Sequence, residues 1–310
     1  MPLLRIPVAV EYQWNIWYNY SQNVQRRSRL LMAILDCRKA AESIKAELAQ
    51  KVRTLADNGS RPKLAIIRVG ARPEDISYER GIKKNCEAIG IDCEVMELPG
   101  DISNEGFMEV LEAANRNGGI NGILVFRPLP SHIDEDRARH MIEPSKDIDC
   151  MNLVNLAKVF EGDGSGFEPC TPAAVMEIIK FFGINLKGEN VAVIGRSMVV
   201  GKPLSMMLLK ENATVTICHS KTKDIQSIVS RADIVIAALG KARAIGADYI
   251  KPGAIVIDVG VNGAPEGGIC GDVDFDKVKD IASKITPVPG GVGAVTTLVL
   301  LKHVVASAML

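Results

Sequence analysis

Three short stretches carry residue types that do chemistry. The first is 77–91, SYERGIKKNCEAIGI, where Tyr78 stands near the start of a helical pattern and Lys83 and Lys84 sit in its middle. A lysine on a substrate-facing helix can accept a proton; the same lysine on the far face is surface charge. Helical geometry separates the two cases. Residues four apart share a face, so Tyr78 and Ile82 point together. Lys83 is rotated by about 100° from Ile82, and Lys84 by about 200°. Lys83 aligns instead with Glu79, in the favourable Glu-to-Lys order, as an ordinary surface pair contributing about 0.3–0.5 kcal/mol.

The second stretch is a glycine turn. The run VAVI leads into GRSMVVGKP (195–203) and then the helical LSMMLLKEN. Gly195 supplies a tight turn off the strand and Gly201 lets the helix approach closely. Free backbone N–H groups at a helix start, with the helix dipole, favour an anion such as a pyrophosphate. The third stretch ends the following strand: Cys218-His219-Ser220-Lys221-Thr222. It lacks the carboxylate that holds a ribose 2′-hydroxyl at NAD-preferring sites. Arg196 and Ser197 in the turn, with Ser220 and Lys221 opposite, can hold a 2′-phosphate through charge-assisted bonds. The set favours NADP over NAD, with NAD the alternative. His219 is a strand-end histidine with no catalytic role.

These residues need elements to position them. LAIIRVG (64–70), DCEVMELP (92–99) and NGILVFRPLP (121–130) read as strands, with helices at about 77–90 and 104–117 between them. The segment 139–172 is polar and less regular, and AAVMEIIKFFG bridges to a second alternation. There NVAVIG (190–195), ATVTICH (213–219), DIVIAALG (233–240) and AIVIDVG (254–260) read as four strands. The fold class is α/β: two αβα domains, the second a Rossmann-like dinucleotide-binding domain, with a cleft between them. The expected boundaries are 32–172 for the first domain and 173–292 for the second, with a C-terminal helix from 293 (residues 293–310) packing back on the first.

Residues 1–31 differ from the rest. They hold Trp14 and Trp17, three tyrosines and the basic QRRSR, without a compact apolar stretch before a cleavage site. They are read as an extension that is either not native or loosely attached, with Met32 the natural start. The 37 basic and 37 acidic residues balance, and no long basic run points to nucleic acid. No apolar run reaches the ~18 residues of a membrane span. Seven scattered cysteines form no CxxC pair and no metal-ligand spacing with the four histidines, so no metal is expected and a reducing cytoplasm fits.

Several motifs together resemble one family. VIGRSMVVGKP (193–203), ATVTICHSKT (213–222), PSKDIDCMN (144–152) with PCTP (169–172), and ITPVPGGVGAVT (285–296) are similar, in order, to the signatures of the methylenetetrahydrofolate dehydrogenase/cyclohydrolase family. The resemblance covers nearly all of 32–310. It implies oxidation of 5,10-methylenetetrahydrofolate to the methenyl form with NADP or NAD, often followed by hydrolysis to 10-formyltetrahydrofolate, in a homodimer. It implies that Asp149 anchors the pterin and Tyr78 carries the aminobenzoyl ring. It places Ile82, Val125, Phe126, Arg127, Pro289, Gly290, Gly291, Val292 and Gly293 around the substrate. Gly195, Arg196, Ser197, Ser220 and Val261 would contact the cofactor.

The chain also departs from the family. The hydrolytic lysine four residues after the tyrosine is Ile82, and the assisting glutamine of V-Q-L-P-L-P is Phe126. Asp75, Cys150 and Ala294 replace a serine, a glycine and a proline. The expectation is a dehydrogenase with weak or absent cyclohydrolase activity. The alternatives are a bifunctional enzyme, with Lys83 reaching in or Arg127 assisting, a reductase of another small substrate, and a non-catalytic folate- or nucleotide-binding paralogue.

Overall fold

The computed structural model describes residues 33–310, so the readings for 1–31 and Met32 lie outside the described residues. The first half of the chain is built on a three-stranded parallel sheet. After the short β1 (Ala33–Ile34), which pairs elsewhere, its strands are β2 (Lys63–Val69), β3 (Asp92–Leu98) and β4 (Gly122–Val125), in the order β3-β2-β4. The helices α1 (Cys37–Asp57), α2 (Pro73–Ile89), α3 (Asn104–Arg116), α4 (Glu135–Met141) and α5 (Leu153–Glu161) accompany it. β4 is shorter than the apolar run NGILVFRPLP: it ends at Val125, ahead of the prolines that cannot donate to a ladder. The segment expected to be irregular, 139–172, holds the end of α4 and all of α5, helices started by side-chain caps from Asp134 and Asn152.

The second half forms a six-stranded sheet with order β1-β11-β8-β7-β5-β6, parallel throughout. Four of its strands are β5 (Asn190–Ile194), β6 (Thr214–Cys218), β7 (Ile234–Ala237) and β8 (Ile255–Asp258). Their apolar runs are nearly continuous because most lie buried on both faces. The remaining two are β11 (Lys284–Ile285) and β1 (Ala33–Ile34), each two residues long. β1 corrects the expected boundary: residues 33–34 belong to the sheet of the second half, and the chain enters the first half only at α1. A small antiparallel pair, β9 (Asn262–Gly263) and β10 (Ile269–Cys270), stands apart. The helices of this half are α6 (Cys170–Phe181), α7 (Gly201–Lys210), α8 (Ile225–Val229), α9 (Phe275–Val278) and α10 (Gly293–Ser307).

Three apolar clusters hold the layers. One lies behind the first sheet under α3 and another on the outer face of the second sheet. The largest runs between the halves and includes Leu48, Leu64, Ile82, Ile178, Val193 and Leu301. α10 packs against α1, α6 and α2 within it. Among the described residues, no helix is long and apolar enough to cross a membrane.

Candidate functional site

α2 begins with Pro73 in its first turn, followed by Glu74 and Asp75, which suit the positive end of its dipole. It ends at Gly90, whose φ of 93° is the left-handed stop that glycine supplies. Tyr78 is 41% exposed, and its ring lies 5.5 Å from that of Phe126, with an interplanar angle of 30°. Burial first, and the Asp149 carboxylate second, push its phenol above the ordinary range. Tyr78 therefore presents an accessible ring supported from beneath by Phe126.

One turn further on, Ile82 has 0% exposure and packs in the central cluster with Leu64, Leu124 and Phe126. This corrects its expected place at the substrate: Ile82 shares Tyr78's side of the helix, but there the helix already lies on the core. Val125, Phe126 and Val292 are likewise buried, so they shape the cleft from beneath, Phe126 by supporting Tyr78. The Lys83–Glu79 pair is present, but it is not an ordinary surface pair. Glu79 is buried and bonds Arg68 Nε at 2.8 Å, while Lys83 stands 4.0 Å away in solvent. The Arg68–Glu79 pair ties α2 to β2; removing one partner of such a buried pair costs about 3–5 kcal/mol. Asp75 is paired with Arg72 at 2.7 Å.

Asp149 sits on a loop tightly held by its neighbours. Asp147 is buried and accepts from the N–H groups of Met151 and Asn152 at 2.8 and 2.9 Å, and from Asn155 Nδ2 at 2.9 Å. His303 on α10 meets the Ile148 carbonyl at 2.8 Å through Nδ1, and burial holds its pKa below the usual value. Cys150 has φ of 56°, in the region that favours glycine. Asp149 itself keeps its side chain 26% exposed and accepts from Arg127 Nη2 at 3.1 Å. Asp147, Asn155 and His303 are positioning residues that sequence reasoning missed. Asp147 lay inside the quoted PSKDIDCMN motif, but nothing local marks His303.

The glycine turn stands at the point where the second sheet reverses strand order, between β5 and β7. Gly195 has φ of 144°, and a Cβ there would collide with the Ala238 carbonyl. A Cβ on Gly201 would collide with the Gly195 carbonyl, so the helix start rests directly on the turn. Ser197 Oγ accepts from the Val200 N–H at 3.1 Å. Arg196, Ser197 and Ser220 are exposed around this cradle, and no carboxylate ends β6. The cradle and its donors fit an anionic dinucleotide. His219 is used locally: its Nδ1 accepts from the Lys221 N–H at 3.1 Å.

Two further buried carboxylates brace the cofactor side. Asp272 accepts from Leu239, Gly240 and Lys241 N–H and from Asn262 Nδ2, which fixes the loop beside exposed Val261. Asp258 accepts from Gly260, Asp272 and Val273 N–H, while burial raises its pKa to about 6. The segment 289–293 closes the cleft wall. Gly290 has φ of 94° and its carbonyl accepts from the Cys37 N–H at 3.2 Å, while a Cβ on Gly291 would strike the Pro287 carbonyl. Pro289 and Gly293 are exposed at its two ends. Among the described residues no cluster of ligands suits a metal ion.

A dinucleotide-binding sheet joined to a second α/β unit that presents an aromatic platform and a carboxylate defines a two-domain nucleotide-dependent enzyme. The chain belongs to the tetrahydrofolate dehydrogenase/cyclohydrolase family. The family's catalytic-domain model matches residues 35–149 and its NAD(P)-binding-domain model matches residues 169–310. The "Bifunctional protein FolD" of Clostridioides difficile is 53% identical over 277 residues, covering 89% of this chain and 96% of that protein. The crystal structure of the bifunctional FolD methylenetetrahydrofolate dehydrogenase/cyclohydrolase of Campylobacter jejuni is 40% identical with a TM-score of 0.88, covering 90% of this chain and 99% of that one. The Trypanosoma brucei dehydrogenase-cyclohydrolase, solved with NADP cofactor and inhibitor, is 36% identical with a TM-score of 0.85, covering 89% and 97%.

Proposed function

We propose that this chain oxidises 5,10-methylenetetrahydrofolate to the methenyl form with NADP, in the cleft between its halves. The observation that carries the reading is the pairing of the Gly195–Gly201 cradle with a fixed, accessible Asp149 beside the Tyr78 ring. When bound, the nicotinamide ring supplies the hydride acceptor. The protein's own contribution is placement. The substrate's bridge nitrogen stabilises the developing cation, so no general base is needed for this step. Asp149 accepts from the N–H donors of the pterin, Tyr78 carries the aminobenzoyl ring, and residues 289–293 wall the cleft.

Cofactor choice follows from the turn. Arg196, Ser197 and Ser220 suit a 2′-phosphate, and no carboxylate opposes it. Arg196→Ala is expected to lower kcat/KM for NADP about tenfold or more while leaving that for NAD nearly unchanged. An equal loss with both cofactors would remove Arg196 from 2′-phosphate recognition.

The names of the relatives favour a second activity, hydrolysis of the methenyl group in the same cleft, over the expectation of a dehydrogenase acting alone. One observation specific to this chain favours the narrower reading: the lysine position is a buried isoleucine, and Lys83 points to solvent. In a bifunctional enzyme, Asp149, close enough to act on the Tyr78 phenol, and Arg127, bonded to Asp149, are polar groups available for the hydrolysis. A side-by-side assay decides. NADPH formation from methylenetetrahydrofolate is expected. Decay of methenyltetrahydrofolate absorbance faster than in buffer establishes the bifunctional enzyme, and decay at the buffer rate establishes the dehydrogenase alone. Binding of both ligands without NADPH formation would identify a non-catalytic paralogue. The family resemblance also supports a homodimer in the cytoplasm, with domain limits near 172.

A further inference from the structure

We infer that Arg127 is a specificity residue: its guanidinium donates to the 4-oxo group of the pterin ring while Asp149 accepts from the adjacent N–H donors. The inference rests on the folate reading above and deepens it. Arg127 Nη2 donates to Asp149 Oδ2 at 3.1 Å, so guanidinium and carboxylate lie side by side. Its Nη1 is 3.9 Å from Glu135 Oε1, beyond hydrogen-bond distance. Among the described residues this is the one hydrogen bond the Arg127 side chain donates, although a guanidinium carries five N–H donors. The side chain is 25% exposed, and it lines a cavity of about 190 Å³ with Asp149, Glu135, Arg139 and the cofactor-turn residues Met198 and Val199. The other arginine of that cavity is engaged elsewhere: Arg139 Nε donates to the Met151 carbonyl at 3.2 Å.

The chemistry of the ring edge matches this pair. A 2-amino-4-oxopyrimidine edge presents two N–H donors and then a carbonyl acceptor. A carboxylate meets the donors, and a guanidinium beside it meets the acceptor. An arginine is permanently protonated, so it is a fixed donor that cannot become an acceptor. It therefore selects against a ring whose 4-position carries an amino group, because two donors then face each other.

The test compares two ligands on the full-length protein with NADP bound, at a pH where both rings are neutral. One is tetrahydrofolate, with the 4-oxo group; the other is a 2,4-diamino pteridine analogue. The wild-type protein is expected to prefer the 4-oxo ligand, and Arg127→Leu is expected to reduce that preference about tenfold or more. Arg127→Met, which retains more of the stem, carries the same expectation, and unchanged NADP affinity reports that each variant is folded. A purely structural role, in which Arg127 only orients Asp149, weakens both ligands equally and leaves their ratio alone. An unchanged ratio, or a wild-type protein without the preference, overturns the inference. A wild-type protein that binds neither ligand overturns the folate reading itself, and this inference with it.

Discussion

Replacing Asp149 by alanine is expected to raise the KM for methylenetetrahydrofolate about 100-fold, with a much smaller change in kcat. Two charge-assisted hydrogen bonds to the pterin are lost, each contributing about 1.5–3 kcal/mol, part of which water recovers. A tenfold change in binding corresponds to about 1.4 kcal/mol. The loss appears in KM because the bonds are made equally in the bound substrate and in the transition state. Asp149→Asn keeps the shape and one acceptor, so its effect is expected to be nearer tenfold. The KM for NADP should move far less, since the bonds lost are those to the pterin and the Gly195–Gly201 turn is left intact. Steady-state kinetics with each substrate varied separately provides the check. An unchanged folate KM in Asp149→Ala would remove Asp149 from pterin binding. A large fall in kcat alone would give it a different role.

The second large effect is at Ile82. Ile82→Lys is expected to lower stability by about 3 kcal/mol or more, because a charged stem is forced into a fully buried site among Leu64, Leu124 and Phe126. For a chain of this size that corresponds to roughly 5 °C or more in melting temperature. Ile82→Met, which conserves volume, should cost less than about 1.5 kcal/mol. Adding Phe126→Gln to Ile82→Lys opens a route toward the cleft beside Tyr78. The pair should therefore recover part of the loss, since residues in contact are not additive. Thermal unfolding of the three variants measures this. Full stability in Ile82→Lys alone would mean that the amine escapes without moving Phe126.

Ile82 also shows how far the sequence could be read. Spacing correctly turned Tyr78 and Ile82 to one side of α2, because both are properties of a helix alone. It could not show that this side leaves the cleft and enters the core within one turn, which depends on how the helix lies on the sheet. Spacing found the Lys83–Glu79 pair but not the closer partner of Glu79, because Arg68 is on β2 and remote in pattern. The seven longer strands were legible, most of them as β-branched runs and several bounded by glycine or proline. β1 and β11, two residues each, have no run long enough to read and exist only through their pairing. The cradle was legible because Gly195 and Gly201 are required by backbone contact. Asp272 and Asp258 were not, since buried carboxylates that collect distant N–H groups carry no local signature.

The path of the chain limits how the cleft can move. β1 starts in the second sheet, α1 then enters the first half, the segment between α5 and α6 returns, and α10 crosses back after β11. Three backbone tethers thus join the halves, and a continuous apolar cluster fills the space behind them. One tether would leave a swinging door, free about several axes. Three act as a leaf hinge, which allows a small rotation about one line and resists twist and shear. Each half has an apolar cluster of its own, and the largest cluster is shared between them. Such a linkage favours slight breathing of the cleft over wide domain swings as the way ligands enter.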